Sequence, residues 1–354
     1  LFAMQTVFRI RDIKQIQDST RRLFRVELEL TSDNDQDLKI LTKHIREETF
    51  PNEPGWSRLG LLLQKLEKPK QAEEVYQILL QQTTDETKNG WLYRGLGNCK
   101  QHQANYEEAI RLYKKSIEIY KKYYPNHPDL ALSYNSIGNV YGNMGEYTKA
   151  LSYYEKTLGI QQQSLPPNHP DLAGSYNNIG LVYVNMGEYA KALSYYEKTL
   201  SIRQQSLPPN HPHLATSYNN IGSVYVNMGE YAKALSYYEK ALAIWQQSLP
   251  PNHPHLAGSY NNIGNVYGKL GEYTKALSYY EKTLGIQQQS LPPNHPDLAG
   301  SYNNIGLVYV NMGEYAKALS LCKRAVEIAK QSLPPNHPHL KWYKSNLDKV
   351  KNKL

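Results

Sequence analysis

From His127 the chain repeats itself every 42 residues. The string Asn-His-Pro-(Asp/His)-Leu returns with its histidine at His127, His169, His211, His253, His295 and His337. Between the returns the text barely changes: Ser-Tyr-Asn-Asn-Ile-Gly, then Gly-Glu-Tyr-(Ala/Thr)-Lys-Ala-Leu-Ser. Units of this length do not close one central core. Each covers the next, and the result is a stacked solenoid rather than a globular enzyme. The functional question becomes what lies along a groove.

The unit predicts two helices. Pro170 suits a first helical turn, where a missing N–H costs nothing. The first helix should run to about Met186, where Gly187 breaks it. The second should run from about Glu188 to Gln205, before Leu207-Pro208-Pro209-Asn210 stops it. Gly180 and Ala192 are small where two backbones should approach, with Tyr176, Tyr183 and Tyr196 around them. Residues 127–168 and 253–294 are nearly the same text, as are 169–210 and 295–336, so the array reads as a duplicated three-unit block.

Two degenerate units come first. Trp56, Leu59, Gly60, Ala72 and Tyr76 set a spacing that Tyr93, Leu96, Gly97, Ala109 and Tyr113 reproduce, as do Tyr176, Ile179, Gly180, Ala192 and Tyr196. That spacing resembles the tetratricopeptide repeat over about residues 53–354. The resemblance implies an all-α, right-handed superhelix. The expected parts are two degenerate repeats at 53–126, five 42-residue repeats at 127–336 and a capping helix at 337–354. A 42-residue unit with His-Pro opening helix one is similar to the repeats of kinesin light chains, most closely at Leu321-Cys322-Lys323-Arg324-Ala325-Val326-Glu327-Ile328. In that family the inner wall binds cargo peptides. This chain has no heptad coiled coil to join a motor, and its inner wall lacks a regular set of arginines and lysines.

Residues 1–49 read differently. Phe24, Val26, Leu28 and Leu30 alternate with charged residues, the period of a half-buried strand. Two strands with a turn are expected, then a helix over 37–49 carrying Leu38, Leu41 and Ile45 on one face. The run from Leu1 to Ile10, the Phe24–Leu30 strand and Arg46-Glu47-Glu48-Thr49 resemble the end of an arginine-specific mono-ADP-ribosyltransferase domain. The resemblance implies a parent enzyme that uses NAD, with its Glu-any-Glu pair and NAD-holding residues upstream of Leu1. Glu27-Leu28-Glu29 matches the pair by letter only, because alternation puts both carboxylates on the polar face of a later strand. This chain is therefore expected to be non-catalytic and to hold no cofactor. The enzymatic alternative is that it forms the targeting half of such a transferase.

The net charge of +8 falls as +3 on residues 1–126, +1 on 127–336 and +4 on the tail. A nucleic-acid reader would carry basic residues along its repeats, and these are nearly neutral. No run of about 18 apolar residues is present, so no membrane span is expected. Cys99 and Cys322 lie repeats apart and read as free thiols of a cytoplasmic protein. The pairs His211/His213, His253/His255 and His337/His339 invite a metal reading, but neither cysteine nor carboxylate stands at ligand spacing. A helix cap is the simpler role.

The first-helix asparagines are the leading candidate contacts: Asn135, Asn177, Asn178, Asn219, Asn220, Asn261, Asn262, Asn303 and Asn304. Asparagine is a poor helix former, so its recurrence mid-helix needs a reason. A carboxamide both donates and accepts, which matches the amide edge of an extended peptide. The competing role is a tie between neighbouring repeats. Leu181, Val184, Leu307 and Val310 are the candidate apolar anchors, with Gly174, Thr216, Gly258 and Gly300 leaving space beside them. Asn143, Asn185, Asn227 and Asn311, near the end of the first helix, are weaker candidates. The expected partners are protein or peptide segments, with self-association through the near-identical repeats as a third reading.

Overall fold

The computed structural model describes residues 8–16, 23–30, 55–125 and 127–354. The chain forms two compact units, residues 1–123 and 124–354. In the first, strands β1 (Phe8–Ile16) and β2 (Leu23–Leu30) pair antiparallel, with Phe8 opposite Leu30 and Ile16 opposite Leu23. The helix expected over 37–49, the boundary at 50–54 and the transferase-like segment Arg46–Thr49 lie outside the described residues. Four helices follow: α1 (Gly55–Lys65), α2 (Pro69–Gln82), α3 (Asn89–His102) and α4 (Tyr106–Tyr123).

The second unit is an uninterrupted helical array. Its hairpins are α5 (Pro128–Asn143) with α6 (Tyr147–Ser164), α7 (Pro170–Asn185) with α8 (Tyr189–Ser206), and α9 (Pro212–Asn227) with α10 (Tyr231–Ser248). They continue as α11 (Pro254–Lys269) with α12 (Tyr273–Ser290), then α13 (Pro296–Asn311) with α14 (Tyr315–Ser332). A single helix, α15 (Pro338–Lys351), closes it. Among the described residues from 55 onward the chain is an all-helical repeat solenoid of fifteen α-helices.

Each hairpin is punctuated locally. The imidazole Nδ1 of His169 accepts the backbone N–H of Asp171, and Pro170 occupies the first turn. This satisfies one of the orphan donors at the helix start. At the other end Gly187 takes φ +77°, and the Glu188 N–H closes back on the Tyr183 carbonyl. Only glycine adopts that left-handed turn without strain. The second helix ends at Leu207, ahead of two prolines.

The core is a ribbon. Ile179, Ile221 and Ile263 are fully buried, each beneath the small alanine of a second helix: Ala150, Ala192 and Ala234. A Cβ at Gly180 would stand 2.8 Å from the Tyr196 ring, so glycine there is a packing requirement. Tyr183 packs against the Ala192–Tyr196 cluster and also stacks on Tyr195 at 5.5 Å, while Tyr176 packs against Leu172, Ala173 and Ile202 and tilts on Tyr195.

Candidate functional site: an asparagine-lined concavity

Five hydrogen bonds of one kind run along the first helices. Asn178 Nδ2 donates to Asn135 Oδ1 at 3.0 Å, Asn220 to Asn177, Asn262 to Asn219, Asn304 to Asn261, and Asn346 to Asn303. The second asparagine of each unit thus ties to the first asparagine of the unit before it. The ends of the row obey the same logic. Ser136 replaces the donor in the unit whose predecessor carries Arg94 at the acceptor position, and Ser345 replaces the acceptor in α15. The inter-repeat role accounts for the recurrence of the pair.

The two members differ in what else they reach. Asn262 and Asn304 line a concavity of about 500 Å³ formed across α9, α11, α13 and α15, whereas Asn261 and Asn303 do not line it. Donation through one Nδ2 proton leaves the Oδ1 and the second N–H of Asn262 and Asn304 for other partners. Asn303 is fully buried, which corrects its expected availability to a ligand: α15 covers it, and its Nδ2 has no partner among the described residues. Asn135, Asn177, Asn178, Asn219 and Asn220 are partly buried like Asn261.

The apolar candidates separate as well. Leu307 lines the concavity, and Leu181, at the same position of its own unit, is 49% exposed. Val184 packs on Tyr196, Ile221 and Val224, and Val310 on the cluster around Leu340 and Leu347. Val226, at the same position of its unit, lines the concavity while packing on its own core cluster, so this position serves both contacts. Asn227 and Asn311 also line the concavity.

Sequence reasoning missed Ser223, Asn265, Gly268, Lys269 and Trp342, all of which line it. The signal was present. The sixth, tenth, thirteenth and seventeenth residues of each unit share one helical face, and they vary between otherwise copied units. The thirteenth reads Asn139, Leu181, Ser223, Asn265, Leu307 in turn. Behind this face the Tyr154 and Tyr280 hydroxyls donate to Asn139 Oδ1 and Asn265 Oδ1 at 2.6 Å, and Ser223 meets Tyr238 at 3.0 Å. Burial pushes the Tyr154 and Tyr280 phenols up to about 12, so they stay neutral donors.

The remaining candidates have structural roles. The histidines that open α9, α11 and α15 spend Nδ1 as cap acceptors. Cys99 and Cys322 are buried, and burial raises both thiols, Cys99 to about 11. A thiol held protonated is a poor nucleophile. No described helix is long and apolar enough to cross a membrane.

Among solved structures the chain is similar to BtubC (BKLC) from P. vanneervenii, with 26% identity, a TM-score of 0.57, and coverage of 66% of this chain and 94% of that one. A putative kinesin light chain of Podosopora anserina with nearly identical repeats shares the fold at 23% identity and a TM-score of 0.52, covering 59% of this chain and 99% of that one. The APC/C hetero-tetramer Cut9-Hcn1 shares it at 18% identity and a TM-score of 0.58, covering 88% of this chain and 52% of that one. No curated protein matches. The family model described as tetratricopeptide repeat matches seven overlapping segments: 55–122, 88–163, 129–205, 171–247, 213–289, 255–331 and 297–347. A repeat that recurs in register through the array, with its glycine–tyrosine contact and its capped hairpins, places this chain in the tetratricopeptide-repeat family.

Proposed function

We propose that this chain is a non-catalytic scaffold that binds extended peptide segments of partner proteins along the asparagine-lined face of its first helices. The observation that supports this most is the concavity itself. Asn262, Asn304 and Leu307 line it together, and the repeat carries the same residue types on through Asn178, Asn220 and Leu181. Amide hydrogen bonds of ~1 kcal/mol each do not reach the roughly 8 kcal/mol of a micromolar complex. Burial of Leu181 and Leu307, worth about 1.5–3 kcal/mol apiece, supplies much of the difference. The alternative, a targeting half of an arginine ADP-ribosyltransferase, rests on residues 1–49 and draws nothing from this geometry.

Alanine in place of the asparagines would cut the inter-repeat ties, so the test uses the exposed Leu181 and the partly buried Leu307. Peptides selected from a random library on the full chain should bind at micromolar Kd by fluorescence anisotropy. Leu181→Glu and Leu307→Glu should each weaken them by about tenfold with unchanged circular dichroism. Failure to select any peptide, or parental affinity retained by both variants, would overturn the proposal.

A further inference from the structure

The charge of the array changes sign in α14 and α15. Residues 127–312 carry a net charge of −1, whereas residues 313–354 set nine lysines and arginines against three acids. Those 42 residues hold +6 of the chain's +8.

The copied text makes the change informative. In each of the first four units the second helix holds two lysines, and both are engaged. The first pairs with the glutamate three residues before it, as Lys191 does with Glu188. The second lies over the tyrosine ring three residues before it, as Lys198 does over Tyr195 at 4.9 Å. In α14, Lys323 stands where those units hold Glu155, Glu197, Glu239 and Glu281, and Lys330 where they hold glutamine. α15 then carries Lys341, Lys344, Lys349 and Lys351, with Lys353 just beyond it.

Most of these cations are unpaired. Among the described residues of 313–354 the ion pairs are Lys317–Glu314, Arg324–Glu327 and Lys351–Asp348. Lys323, Lys330, Lys341, Lys344, Lys349 and Lys353 have no such partner there, and all six are exposed. Contact with water asks for polar side chains, and a mixture of signs meets that need. Like charges without counter-charges repel one another, and the compact state bears the repulsion. A partner of opposite sign relieves it.

The chemistry of the six selects the partner. All are lysines, compact point charges rather than the planar fork with which arginine grips a single phosphate. On α15 they spread round the arc opposite Leu340, Tyr343, Leu347 and Val350, which suits a broad anionic surface better than one shaped anion. Trp342 stands among them, 47% exposed. An indole is at home where water meets lipid headgroups. A nucleic acid would draw basic residues along the neighbouring units, and those are nearly neutral.

We infer that α14 and α15 form a docking surface for a membrane leaflet rich in anionic headgroups, held by the six unpaired lysines with Trp342 at headgroup level. The contact is peripheral and does not rest on the groove reading. Trp342 also lines the concavity, so the lysines carry the test and Trp342 only reports on it.

The full chain should float with vesicles of phosphatidylcholine containing about one-third phosphatidylserine at ~0.1 M salt, and should leave them at ~1 M, where the Debye length falls to about 3 Å. Vesicles of phosphatidylcholine alone should not retain it. Lys341→Gln and Lys344→Gln should each weaken partition onto the anionic vesicles by about fivefold, the effect of one charge near such a surface. Lys323→Glu restores the residue of the copied units, changes two charges and should weaken it by about 25-fold. Circular dichroism should be the same in all three variants as in the parent. Trp342 emission should move to shorter wavelength on the anionic vesicles, a shift missing in Trp342→Phe. Flotation that is equal on both kinds of vesicle, absent at low salt or unaffected by the three lysine variants would overturn the proposal. So would poly-uridylate RNA that binds the chain more tightly than the vesicles do, since the lysines would then serve a nucleic acid. Groove peptides should bind the lysine variants and the parent alike, so the fall of either reading leaves the other standing.

Discussion

Gln161 and Trp245 occupy the same position of their units and treat the next unit differently. Gln161 Oε1 accepts the hydroxyl of Ser175 at 2.6 Å in a buried pair, and Gln287 does the same with Ser301. Arg203 reaches Ser217 and the His213 carbonyl. Trp245 stacks on His255 at 5.2 Å instead, and both its Nε1 and the Ser259 hydroxyl are buried without a partner among the described residues. Losing one partner of a satisfied buried pair costs about 1–3 kcal/mol, while removing an already unsatisfied hydroxyl costs little. Ser175→Ala should therefore lower the urea midpoint, and Ser259→Ala should leave it unchanged or raise it. Equal losses in the two variants would contradict this account.

At the scale of the helix, the start signal carries a pH dependence. His211 and His253 cap α9 and α11 through Nδ1, and a protonated imidazole has no lone pair there to accept with. In these units the third residue is also histidine, with ring centroids 4.8 and 5.0 Å apart, where the first, second and fifth units hold Asp129, Asp171 and Asp297. Burial, followed by Arg203 and His211, holds the His213 pKa below 6.5; burial and then His255 do the same for His253. Because the folded values lie below the unfolded one, this stabilisation is present above pH 6.5 and is lost as pH falls through the folded values. His213→Asp, which copies the aspartate units, should reduce the drop in urea midpoint between pH 7.5 and 5.5. An unaltered drop would remove His213 from the acid response.

The sequence was legible wherever its signals were local. Pro170, Gly187 and Pro208 mark hairpin ends within one residue or so of where α7 and α8 stop and start, because caps and breakers act on their immediate neighbours. The asparagines were half legible. Their recurrence was plain, but the partner of Asn178 is 43 residues away, one more than the period, and only stacking brings the two together. The serines at Ser136 and Ser345 marked the ends of that row. The double contact of the valine position was not legible, since Val226 both lines the concavity and packs on the core, and inter-unit contact and groove differ there by less than one helical turn.

For the whole array, the last helix is structural. Leu340, Tyr343, Leu347 and Val350 of α15 cover Leu298, Cys322, Val326 and Ile328, while Lys341, Lys344, Lys349 and Lys351 stay exposed. A chain ending at Asn336 should melt earlier and scatter light in proportion to its concentration; an unchanged thermal midpoint would show α15 to be dispensable.

The amide row also governs how an array of this kind lengthens. A copied interior unit arrives with one asparagine that gives and one that receives, so it splices between two others and leaves no group stranded. A unit with serine at either place, as at Ser136 or Ser345, lacks one half of that exchange. Duplication of interior units is thus accommodated by the row, in keeping with a three-unit block written twice.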